Sequence, residues 1–196
     1  MHPAEHSLGL AEAMAEELED YLLSAELFWP LQRRAGSGEP PYPKLSLGSL
    51  FLTLDELEAS ESDLAPALAA RLRSLRSRVE ALRSKWAAAI QRKAAQELQS
   101  RVNLWRAYLT DLEESPRAAE LFPQEARQRV MAARLEAAAG VLPEAATSRR
   151  ALQEVDSRIR QRFNPGAFIW DRRLARVYPA SEFWFLYGTP GGGERS

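Results

Sequence analysis

The side chains that most often perform chemistry are scarce in this chain of 196 residues, which has two histidines and no cysteine. His2 and His6 belong to a His-Pro-Ala-Glu-His segment, which matches the spacing of an inverted zinc-protease motif. Such a site needs both histidines on one face of a buried helix, together with a third ligand. Because the segment lies at the start of the sequence and contains Pro3, we expect no metal site.

Other catalytic and cofactor-binding motifs are missing from the sequence. There is no glycine-rich phosphate-binding loop and no nucleophile elbow, and the glycines at 191–193 follow no predicted strand. Because no histidine lies beyond His6, we expect no serine–histidine triad. We therefore expect a protein that is not an enzyme and has no cofactor. One alternative is an enzyme whose site is built from aspartate, glutamate, arginine and tyrosine, which would require an enclosed polar pocket.

A regular stripe of basic residues is the strongest candidate for a functional surface. Four of its members recur at intervals of seven residues, and three others widen the same face. Such a stripe can contact phosphates along a nucleic-acid backbone or bind a protein partner. It can also be the solvated flank of a hydrophobic helix, or face acidic helices of the same molecule. The candidate residues are Arg71, Arg73, Arg76, Arg78, Arg83, Lys85 and Arg92.

The charges of the chain are strongly segregated although its net charge is only −1. Residues 1–63 contain thirteen acidic and three basic residues, whereas residues 64–112 contain ten basic and three acidic ones. This separation favours pairing between the two segments. The near-neutral total argues against strong non-specific binding to nucleic acid.

One long helix is predicted over about residues 63–113, because residues 67–115 contain neither glycine nor proline. Its apolar residues form a coiled-coil-like seam that changes phase beyond Trp86. At ~1.5 Å per residue this helix is roughly 75 Å long, whereas a compact domain of this size is about 40 Å across. We therefore expect either a helix that bends near the phase change or an elongated molecule with part of the seam uncovered, and we favour the elongated molecule because the usual kink residues are absent. The seam comprises Leu68, Leu72, Leu75, Val79, Leu82 and Trp86, followed by Ile90, Ala94, Leu98, Val102, Trp105, Leu109 and Leu112.

The remaining sequence predicts shorter elements around this helix. Helices are expected over about residues 8–28, 47–59, 123–140 and 143–163, with a flexible loop at about 32–44. The aromatic stretch from Phe168 to Tyr187 fits neither helical nor strand periodicity and predicts an irregular strap. We expect an all-α, elongated bundle of about five helices, with one domain at 1–188 and a disordered tail at 189–196.

These features predict an interaction or scaffold protein that acts through its long helix, as a homodimer or with a protein partner, because exposed apolar seams bind partners. The alternative is a nucleic-acid-associated protein that uses the basic stripe. No apolar run is long enough to span a bilayer, so we expect no membrane contact and a cytoplasmic location.

Overall fold

Seven α-helices form most of residues 3–191, the part of the chain that the computed structural model describes. The predicted all-α fold is thereby confirmed. Pro66 and Pro123 each lie in the first turn of a helix, where the missing N–H has no helical acceptor to lose. The helices are α1 (Pro3–Glu16), α2 (Leu18–Leu23), α3 (Leu47–Ser60), α4 (Pro66–Lys85), α5 (Ala87–Glu114), α6 (Phe122–Ala139) and α7 (Ala146–Arg160). None of these helices is long and apolar enough to cross a membrane.

Trp86 divides the long helix predicted over residues 63–113 into α4 and α5. Its backbone, at φ −113° and ψ 26°, departs from helical geometry for this one residue. Hydrogen bonds of 2.9 Å still join Trp86 N–H to Leu82 O and Ile90 N–H to Trp86 O, so the two helices run on consecutively. The break coincides with the phase change of the seam. α4 packs mainly against α1, whereas α5 packs mainly against α6 and α7.

The hydrophobic core consists of two clusters. The larger one surrounds α5 and contains Trp105, which is fully buried. The smaller one joins α1, α3 and α4. Every seam position from Leu68 to Leu112 is buried or half-buried in one of these clusters. The uncovered seam that the sequence predicts is therefore not found. The chain's own helices cover the seam on both sides of its phase change at Trp86.

The predicted first helix, about residues 8–28, is split and ends early. It is interrupted at Glu17, at φ −102° and ψ 4°, and α2 ends at Leu23. The Glu17 carboxylate accepts hydrogen bonds from Trp29 Nε1 and from the Gln32 backbone, both at 2.8 Å. Trp29 and Leu45 then form a backbone bridge that closes the base of the proline-rich loop.

The predicted irregular strap is flanked by two short strands, β1 (Phe163–Phe168) and β2 (Tyr187–Pro190), which pair as a small antiparallel sheet. Its aromatic side chains close the large core, with Tyr178 and Phe185 fully buried. Thr189 and Pro190, predicted to belong to a disordered tail, belong to β2. Residues 192–196 lie outside the described part of the chain.

Candidate functional site

Part of the predicted basic stripe pairs with acidic residues near the N-terminus. Arg71 donates to Glu12 at 3.0 and 2.7 Å, and the Lys85 ammonium lies 3.1 Å from Glu19. Arg76 lies 2.6 Å from Glu61, just before α4. These contacts match the charge segregation of the sequence and reduce the number of basic groups that remain free for a ligand.

The rest of the stripe is less engaged. Arg83 lies 3.7 Å from Glu80, a long ion pair on the surface of α4. Arg73, Arg78 and Arg92 are exposed and form no ion pair with any residue between 3 and 191. Six of the seven predicted residues lie on α4 and Arg92 lies on α5. The seven residues therefore do not converge on one compact site.

A cleft lies between α3, α4, α6 and the turn that contains Arg176 and Val177; we call it the main cleft. Its volume is about 660 Å³. It exists because α4 packs mainly on α1 and α6 mainly on α5, which leaves a gap over α3. Its apolar lining comprises Phe51, Leu54, Val79, Ala137, Ala138 and Val177. Its charged lining comprises Arg76, Arg83, Arg134, Arg176, Asp55, Glu58 and Glu80.

The charged groups of the main cleft are only partly satisfied. Asp55 accepts hydrogen bonds from Arg134 Nε at 2.8 Å and from the Tyr178 hydroxyl at 3.0 Å. Burial raises the pKa of Asp55, and the hydrogen bond from Arg134 opposes this rise. Arg76 Nη2 is buried without an acceptor among the described residues. A buried donor left unpaired costs about 1–3 kcal/mol.

Arginine and aromatic side chains also meet in this cleft. The Arg83 guanidinium lies 5.7 Å from the centre of the Phe51 ring, a cation–π distance. Half of the Arg83 side chain remains exposed. The cleft therefore offers an apolar floor beneath accessible hydrogen-bond donors.

A buried ion pair on α5 was not foreseen from the sequence. Glu97 and Arg101 lie 2.8 Å apart, and Glu97 is completely buried. Both Glu97 oxygens also accept from Gly48 N–H, at 3.1 and 3.2 Å, in the first turn of α3. The spacing of four residues between Glu97 and Arg101 is typical of an ion pair along one helix. It does not predict that α3 and α6 bury this pair.

Within the histidine motif, the structure places His6 beside two residues of the loop predicted at 32–44. His6 Nδ1 lies 3.3 Å from Glu39 Oε2, and its ring packs against Tyr42. His2 lies outside the described residues. Within residues 3–191, no group of three or more histidine, aspartate or glutamate residues is arranged to hold a metal ion.

The chain was also compared with known proteins. No family model, curated protein or solved structure matches it. Its function is therefore inferred from its own geometry and charge.

Proposed function

We propose that this chain is a non-enzymatic interaction protein whose main cleft binds a partner protein's segment with both apolar and acidic side chains. The observation that carries this proposal is the main cleft itself, with an apolar floor beside the half-exposed guanidinium of Arg83. One wall belongs to α4, so the long helix contributes to binding through its flank. Of the seam residues, Val79 alone lines the cleft; the others are buried or half-buried within the molecule.

The chemistry of the lining supports this type of partner. Phe51, Leu54 and Val79 provide a surface for apolar side chains, whose burial supplies most binding free energy. The Asp55 carboxylate is held by Arg134 and Tyr178, whereas Arg83 is half exposed and retains donors beyond its 3.7 Å contact with Glu80. Acidic side chains of a partner can pair with these donors, which gives the interaction specificity and a preferred orientation.

Site-specific photocrosslinking in native host cells tests this proposal. Glu80 lines the main cleft and is exposed, so a p-benzoylphenylalanine in its place is expected to form an adduct with one protein partner. The same group in place of Arg73, which is exposed on α4 outside the cleft, is the control. The partner is then purified, and its affinity for the chain is measured by calorimetry.

We expect Arg83→Glu to weaken this affinity roughly tenfold or more, because it places like charges together. Arg73→Glu is the matched control and should leave the affinity unchanged. An adduct with a second copy of this chain would show that a homodimer occupies the cleft and would contradict the proposal. Equal adducts at positions 80 and 73 would also contradict it.

The second candidate function, nucleic-acid binding, is favoured by the exposed and unpaired Arg73 and Arg78. It predicts binding of labelled duplex DNA or RNA that weakens steeply with salt, measured by fluorescence anisotropy. The double change Arg73→Glu and Arg78→Glu should abolish this binding, whereas Arg83→Glu should weaken it less. Absence of binding at low ionic strength would eliminate this function.

A further inference from the structure

The proline-rich loop between α2 and α3 is attached to α1 by side-chain contacts. Glu39 Oε2 lies 3.3 Å from His6 Nδ1 and accepts a hydrogen bond from the Gly36 N–H at 2.8 Å. The Tyr42 ring packs against the His6 ring, with ring centres 5.3 Å apart. The Tyr42 hydroxyl approaches Gly9 so closely that a Cβ there would lie 2.6 Å from it. The middle of the loop is therefore fixed against α1.

Proline determines the backbone conformation of this loop, whose central segment reads Glu39-Pro40-Pro41-Tyr42-Pro43. Each proline ring fixes φ at about −65°, and a residue that precedes proline is confined to the β or polyproline II region. One or both of these restrictions applies to every residue of the segment. Residues 40–44 accordingly contain no helix, strand or turn. The segment is therefore an extended chain of the polyproline II type.

The exposure of this segment repeats every three residues. Glu39 and Tyr42 are half-buried and Leu45 is fully buried, whereas the residues between them are exposed. A polyproline II helix has three residues per turn, so one of its edges faces the protein and the other two face solvent. We call the exposed edges the proline face, which comprises Pro40, Pro41, Pro43 and Lys44.

The accessible charges beside the proline face are positive. Lys44 and Arg34 are exposed, and neither forms an ion pair with a residue between 3 and 191. Arg34 and Pro41 line the same hollow of about 360 Å³. The acidic residue of the segment, Glu39, is turned towards α1 and engaged there. A partner that covers the proline face therefore meets proline rings and unpaired basic groups.

We propose that the proline face binds a partner protein through an aromatic-lined groove with acidic residues at its rim. Aromatic grooves recognise polyproline II segments because these are already extended before they bind. Anchoring of the loop on α1 lowers the conformational entropy lost on binding still further. Acidic groups at the rim pair with Lys44 and Arg34, which sets the orientation of the complex. The proline face shares no residue with the main cleft, so this proposal does not depend on a partner there.

Calorimetric titration of the full chain with purified SH3 and WW domains tests the proposal. The domains are chosen with and without acidic residues beside their proline-binding grooves. We expect saturable binding by domains with acidic grooves. The double change Pro40→Ala and Pro43→Ala should weaken this binding roughly tenfold or more, because it removes two packing contacts and frees the backbone. Pro179→Ala, at an exposed proline outside the loop, is the matched control, and circular dichroism verifies that the variants remain folded.

Three charge changes separate the proline face from other binding surfaces. Lys44→Glu should weaken binding at low salt and less at high salt, because charges at a rim are screened. Arg73→Glu, which makes the same change of charge on exposed α4, should leave binding unchanged, and so should Arg83→Glu in the main cleft. A loss in Arg83→Glu equal to that of the double proline change would place the domain in the main cleft and overturn the proposal. Absence of saturable binding by every domain with an acidic groove would also overturn it.

Discussion

At the scale of single residues, the buried pair of Glu97 and Arg101 links three helices. Arg101 also donates to Ser46 Oγ at 3.0 Å and to Gln128 Oε1 at 2.9 Å, so the pair joins the start of α3 to α5 and α6. We expect Glu97→Gln to lower the free energy of unfolding by about 3 kcal/mol, because it leaves the Arg101 charge buried without a counter-ion. Urea denaturation measures this change.

Two comparisons test the explanation. The double change Glu97→Met and Arg101→Met should cost less than Glu97→Gln alone, because no uncompensated charge remains. Glu113→Gln removes the partner of Arg158 in an ion pair whose arginine is exposed, and should cost no more than about 1 kcal/mol. Equal losses from Glu97→Gln and Glu113→Gln would show that burial of the first pair does not matter.

Sequence reasoning is weakest at this residue scale. A glutamate followed four residues later by an arginine looks the same on a surface and in a core, and only tertiary packing separates the two cases. Gly48, which makes room for Glu97, lies 49 positions earlier in the chain. By contrast, Arg71 and Lys85 pair with Glu12 and Glu19, as the segregation of charge favoured, because long-range attraction depends on which segments are acidic and which are basic.

At the scale of elements, the helices were predictable and the small sheet was not. The absence of glycine and proline, with apolar residues every three or four positions, predicts α4 and α5, and the phase change marks the break at Trp86. β1 and β2 are short, and about 20 residues of turns and aromatic side chains separate them, so neither shows the alternation that identifies a strand. Their pairing depends on contacts that are distant in sequence.

Gly188 in β2 makes this pairing possible. Its φ of 143° is disfavoured for other residues, and a Cβ there would lie 2.2 Å from the Asn164 carbonyl oxygen. We expect Gly188→Ala to destabilise the protein by about 2 kcal/mol or more. Gly166→Ala, where a Cβ would meet Gly188 Cα at an ordinary 3.6 Å, is the control. Thermal denaturation showing equal stability of both variants would refute this role for Gly188.

The 3-10 turn at Arg172–Arg176 depends on the charge of Asp171. Hydrogen bonds from Arg173 lower the pKa of the Asp171 carboxyl to about 2. Because its pKa is lowered, the ionised Asp171 carboxylate stabilises the folded state fully at pH values above its ordinary pKa near 3.8. This stabilisation is lost as the pH falls through about 2. Asp171→Asn should therefore have a lower urea midpoint than the unmodified chain at pH 7. A difference that persists unchanged at pH 2 would contradict this.

At the scale of the whole molecule, the sequence predicts the helical course of residues 66–114 better than it predicts how much of that helix is exposed. Its length suggested a rod that outreaches its domain, with part of the seam uncovered. In the structure, the short helices at the N-terminus cover α4, and α6 and α7 cover α5. Sequence periodicity identifies which face of a helix is apolar, but not which element covers it. The main cleft arises from that arrangement, so its lining could not be assembled from the sequence.

The covered seam makes a specific prediction about association. Leu72 is fully buried between α1 and α4, so Leu72→Ala should lower the free energy of unfolding by roughly 2 to 5 kcal/mol. That loss should be independent of protein concentration, because the contacts are intramolecular. Light scattering should give the monomer mass of 22.0 kDa for the isolated chain. Twice that mass, with a loss from Leu72→Ala that grows on dilution, would mean that the seam holds two copies together.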